Sequence, residues 1–85
     1  SEDTERVSLP REDLLFEVQL QTVGTDKMLV AAGLVASMGE ARRKRAESAV
    51  KVEGEVVSDV RLTLPALPVT LTVKLGKKTK LVTIT

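Results

Sequence analysis

Residues 42–45 are four consecutive cations, Arg42, Arg43, Lys44 and Arg45, in a stretch that also holds Glu40 and Glu47. The chemistry open to such a run is anion binding. Arginine makes forked, bidentate hydrogen bonds to phosphate, and lysine supplies a point charge. On a helix, positions 42 and 45 lie about 60° apart and position 43 about 100° from 42, so the arginines form a broad band rather than a line. Lys51, Lys74, Lys77, Lys78 and Lys80 follow. Lys77 and Lys78 fall in the turn-like "GKKT", from which ammonium groups reach outward. The plainer alternative is a solvated face. Glu40 and Lys44 form an i,i+4 pair in the favourable order, and Arg43 and Glu47 one in the poorer order; such pairs contribute roughly 0.2–0.5 kcal/mol. Lysines in a turn are ordinary solubilising residues.

Composition removes other chemistries. The 85 residues include no Cys and no His. Disulfides, thiolate metal sites and Ser–His or Cys–His nucleophilic catalysis are therefore excluded within this chain. The remaining carboxylates form no convergent motif, so no cofactor or metal site is expected and the chain reads as non-enzymatic. Phe16 is the single aromatic residue, so any RNA contact should favour phosphates and folded shape over stacked, splayed bases. No apolar run approaches the roughly 20 residues of a membrane-spanning helix, and no membrane partner is expected. The acidic, polar N-terminus is unlike a signal or transit peptide.

Charge is divided along the chain. Residues 1–40 carry three cations against eight acids, a net −5; residues 41–85 carry ten cations against four acids, a net +6. The second half is the one suited to an anionic partner.

These residues need elements to hold them. Residues 1–13, polar with Pro10 and no periodic apolar pattern, read as a linker, leaving 14–85 as one domain. Leu14, Phe16, Val18 and Leu20 alternate with polar residues and predict a strand, although Leu15 breaks the pattern and a helix from Arg11 is the alternative. Met28, Leu29 and Ala32 sit at helical spacing, with Thr25 or Asp26 as cap and Gly33 as the left-handed stop. "SMGE" predicts a second helix, capped by Ser37 with Glu40 completing a capping box, running to about Ser48. A hairpin follows, with Val50 and Val52 before a Glu53–Gly54 turn and Val56 after it. "LPALP" reads as an extended connector. "VTLTVKL" alternates strictly, and "KLVTIT" makes the last strand. The pattern predicts an α+β domain: two short helices packed on a small antiparallel sheet.

Residues 28–59, "MLVAAGLVASMGEARRKRAESAVKVEGEVVSD", resemble the S-four RNA-binding domain. The shared elements are Ala32-Gly33-Leu34, Ser37 with Glu40-Ala41-Arg42-Arg43, and Val50–Val57 around Gly54. Within that family the phrase is most similar to the C-terminal domains of bacterial-type and mitochondrial tyrosyl-tRNA synthetases, which end in a comparable G-K-K hairpin and strand. The resemblance covers about two-thirds of the chain. It implies an S-four-like, alpha-L arrangement and a non-catalytic role in gripping the tRNA anticodon and variable arms. It also implies a tethered catalytic domain as the second partner, and a bacterial cytoplasm or mitochondrial matrix as location. An S-four-like domain of another RNA-binding protein, or a fungal mitochondrial form acting on structured intron RNA, are alternatives within the fold. A protein-interaction module is the alternative outside it.

By matching position, Arg42 and Arg43 inherit RNA contact, and Ser37 inherits a helix start where backbone N–H groups meet phosphate. Arg45, Lys51, Lys77 and Lys78 complete the candidate set. The chain departs from the family at Lys44-Arg45, where two apolar residues are usual, at Ser48-Ala49, where Gly-Gly is usual, and at Glu53, which replaces Asn. One of Lys44 and Arg45 is expected to lay its stem across the core edge and send its charge to solvent.

Overall fold

Alternation in the second half of the chain dictates the sheet. The computed structural model describes residues 4–15 and 21–85. Strand β6 (Val69–Leu75) turns Leu71, Val73 and Leu75 inward and Thr70 and Lys74 outward, as its period of two requires. It pairs antiparallel with β7 (Lys78–Ile84) along its whole length. Leu75 faces Lys78 in that register, leaving a two-residue turn of Gly76 and Lys77. Lys78 therefore opens the last strand instead of sharing the turn with Lys77. On its other side β6 pairs with β3 (Val50–Val52), which forms a hairpin with β4 (Glu55–Val56). Glu53 and Gly54 both have positive φ, the two-residue geometry that matches the twist of the flanking strands.

A fifth strand comes from the segment read as linker. Strand β1 (Glu5–Leu9) runs parallel to β7, with Glu5 beside Lys80 and Leu9 beside Ile84. The sheet is thus mixed, in the order β1-β7-β6-β3-β4. Beyond it, β2 (Thr22–Gly24) and β5 (Arg61–Thr63) make a separate antiparallel pair, and Leu15 bridges Val23. Arg11–Asp13 form a single 3-10 turn. The expected strand over 14–20 lies for the most part outside the described residues; Leu14, at its start, is fully buried. The peptide bond between Leu67 and Pro68 in the connector to β6 is cis.

Two helices cover one face of the larger sheet, and the α+β class follows. Helix α1 (Thr25–Ala31) is capped by Gly24, not by Thr25 or Asp26. Its C-terminus closes through Gly33, at φ +75°: the Gly33 N–H donates to the Val30 carbonyl and the Leu34 N–H to Leu29, both at 3.0 Å. This pattern needs a left-handed residue at Gly33. Helix α2 (Met38–Ala46) starts at Ser37, whose Oγ accepts from the Glu40 N–H at 3.1 Å. Glu40 does not return to the Ser37 N–H; its Oε1 accepts from Ala36 N–H at 2.7 Å, one residue earlier. The core lies between these layers and includes Leu14, Met28, Leu29, Leu34, Val73 and Ile84.

Candidate nucleic-acid interface

Helix geometry splits the basic run. Ala41 and Arg45, four residues apart, share the buried stripe of α2. Arg45 is the correction to the candidate set. Its Nε and one terminal nitrogen donate to the two Asp26 carboxylate oxygens at 2.6 and 2.9 Å, and its other terminal nitrogen donates to the Ser58 carbonyl at 2.8 Å. Its side chain is 9% exposed. The hydrogen bond it donates to Asp26 raises its pKa above the ordinary arginine value, against the opposing effect of burial. Arg45 therefore ties α2 to the first turn of α1 and to the chain before β5. Its guanidinium is not sent to solvent and has no fork left for phosphate. The signal in the sequence was the Ala41–Arg45 spacing, which charge alone conceals.

The other members of the run diverge. Arg43 is 62% exposed and pairs with Glu40 and Glu47 at 3.9 Å each. Lys44 pairs with Glu47 at 3.9 Å instead of with Glu40. Arg42 is exposed and has no hydrogen-bond or ion-pair partner among the described residues. It lies about 160° around the axis from Lys44, on the flank of Met38. Met38 borders an apolar pocket of about 240 Å³ with Asp26, Lys27 and Val60.

Lys44 faces the β6–β7 turn. A cleft of about 310 Å³ brings Lys44 and Glu40 of α2 against Gly76, Lys77 and Lys78. The turn lysines are thus joined to the basic helix through Lys44, not through Arg42 or Arg43. A second cleft, of about 420 Å³, shares Lys78 and continues past Gly33 to Lys80 and Glu5. Lys80 is already engaged: its Nζ donates to the Ala32 carbonyl at 2.7 Å and pairs with Glu5 at 3.2 Å. Lys77 and Lys78 are exposed, and neither has a partner among the described residues.

Lys51 leaves the opposite side of the sheet, directly across from Lys74. Sequence reasoning left Lys74 out of the candidate set, because nothing local pairs it with Lys51; only the β3–β6 register does. Ser37 has its Oγ committed to the cap. Glu53 is turned into the ladder: its N–H donates to the Thr72 carbonyl at 2.9 Å, and its carboxylate accepts from the Thr72 N–H at 2.6 Å. The side chain thereby completes β3–β6 pairing where the backbone turns away, which accounts for a glutamate at this turn position.

Among the described residues no cluster of three or more His, Cys, Asp or Glu side chains could hold a metal ion, and no helix is long and apolar enough to cross a membrane. No protein-family model matches the chain, and no curated protein matches it.

Proposed function

We propose that this chain binds folded RNA through its phosphates and catalyses no reaction itself, as the RNA-gripping domain of a tyrosyl-tRNA synthetase. The observation that carries the reading is the meeting of α2 with the β6–β7 turn, where Lys44, Lys77 and Lys78 border one cleft. Lys77 and Lys78 are unpaired among the described residues, so their charge is available to an anion without breaking a contact. Within the basic run, Arg42 and Arg43 are the arginine forks still open to phosphate, and Arg43 must exchange two long carboxylate contacts for it. The motif resemblance over residues 28–59 supplies the class of RNA, a tRNA with its anticodon and variable arms. In such a protein the domain adds contacts remote from a tethered catalytic body and raises the effective concentration of one on the other.

Titration with a structured tRNA transcript tests this. Four neutralised phosphates imply a slope of about −3.6 in log affinity against log salt, or about 100-fold weakening from roughly 50 to 200 mM. The Lys77→Gln, Lys78→Gln double variant should bind more weakly with a shallower slope. Absence of saturable binding at low salt refutes the reading. In that event the exposed Met38 and Val60 beside the apolar pocket favour a protein partner.

A further inference from the structure

The face of the five-stranded sheet turned away from the helices has a composition that the fold does not explain. Strand registers place Arg6 and Ser8 of β1, Thr79, Leu81 and Thr83 of β7, Thr70, Thr72 and Lys74 of β6, Lys51 of β3 and Val56 of β4 on that face. Three of these are cations and none is an acid. Lys51 and Lys74 are direct cross-strand neighbours, and like charges so placed destabilise a sheet. Both are exposed and, like Arg6, neither has a hydrogen-bond or ion-pair partner among the described residues. Glu53, at the turn after β3, has its carboxylate bound to the Thr72 N–H. The hydroxyls of Thr70 and Thr83, 2.8 Å apart, add neutral polar groups suited to phosphate oxygens.

We propose that this open sheet face is a second phosphate-binding surface, centred on Lys51 and Lys74, that carries bound RNA around the β6–β7 turn from the helix side of the sheet to its far side. It rests on the RNA-binding reading above and extends it. Lys74 is opposite Thr79, one register step from the Leu75–Lys78 pair that closes the turn. Lysines therefore follow one another around this end of the sheet, from Lys44 through Lys78 and Lys77 to Lys74 and Lys51. Repulsion between Lys51 and Lys74 is relieved when a phosphate lies between them. The flat face offers no aromatic ring among the described residues, so it contacts backbone and not bases.

The test uses the 85-residue chain, a tRNA transcript as probe, and three variants measured for affinity, salt slope and Tm. Lys51→Gln with Lys74→Gln should weaken binding at least about 10-fold at low salt and make the slope shallower by roughly 1.4–1.8. Its Tm should be at or above that of the parent, since the repulsion is gone. Lys74→Glu, which replaces repulsion by attraction to Lys51, should raise Tm and weaken binding further. Arg11→Gln, a single charge removed from the 3-10 turn, should leave the slope unchanged. Affinity within about twofold and an unchanged slope for the Lys51 and Lys74 variants, with binding still lost on changing Lys77 and Lys78, overturns this surface and leaves the RNA reading standing. A marked fall in Tm for the glutamine pair assigns the lysines to structure and also overturns it. No saturable binding by the parent chain overturns both.

Discussion

Replacing Arg45 by alanine separates the structure from the charge pattern that conceals it. The substitution removes three charge-assisted hydrogen bonds, two to Asp26 and one to the Ser58 carbonyl. It leaves the Asp26 carboxylate, whose side chain is 14% exposed, without its counter-ion. Breaking a buried pair in this way costs about 3–5 kcal/mol. Asp26 keeps some access to water and sits in the first turn of α1, where the helix dipole favours a negative charge. The lower end, about 3 kcal/mol, is therefore expected. For a domain of this size that is a Tm loss of about 12–24 °C, a large share of a total stability of about 4–13 kcal/mol. Equilibrium urea unfolding measures it directly. Arg45→Lys should fall between, since an ammonium keeps the charge and loses the fork. Arg45 has a raised pKa, so its stabilising contribution is complete below the ordinary arginine value and fades only as pH rises through the higher folded value. The difference between parent and Arg45→Ala should thus be flat between about pH 6 and 9. A change of under about 0.5 kcal/mol in stability, with RNA affinity lost, would refute the structural role and return Arg45 to the phosphate-contacting set.

Two other substitutions probe the ends of α2. Ser48 follows the helix at φ 58° and its N–H donates to the Arg45 carbonyl, with Ala49 donating to Lys44; Ser48→Gly should stabilise the chain by about 0.5–1 kcal/mol in urea unfolding, because glycine relieves the left-handed conformation, and destabilisation would contradict it. Ser37→Ala removes the acceptor for the Glu40 N–H and should lower stability by about 1 kcal/mol; a loss of RNA affinity with unaltered stability would instead make Ser37 a phosphate contact.

Legibility in the sequence followed distance along the chain. The α2 cap, the β3–β4 hairpin and β6 were readable because each is written in neighbouring residues: a Ser37–Glu40 spacing, a Glu53–Gly54 turn, a strict alternation. Strand β1 was not, because Glu5–Leu9 has no stripe of its own and is held by partners 75 positions later. The β2–β5 pair joins three-residue segments nearly 40 positions apart and is invisible for the same reason. Within the candidate interface, exposed Arg42 and Arg43 and the turn residue Lys77 were placed by local signals. The inward turn of Arg45 and the facing of Lys51 with Lys74 depend on tertiary contact, where four adjacent cations look alike.

The pairing of β1 with β7 also sets an order of assembly. Strand β1 has no sheet edge to join until β7, Lys78–Ile84, has formed against β6. Closing so long a loop is slow, whereas the β6–β7 hairpin needs only a two-residue turn. During synthesis Glu5–Leu9 precedes its partner by 75 residues and must wait for it, for several seconds at about 5–20 residues per second. Loss of the last strand would therefore remove two strands of the sheet at once, one from each end of the sequence.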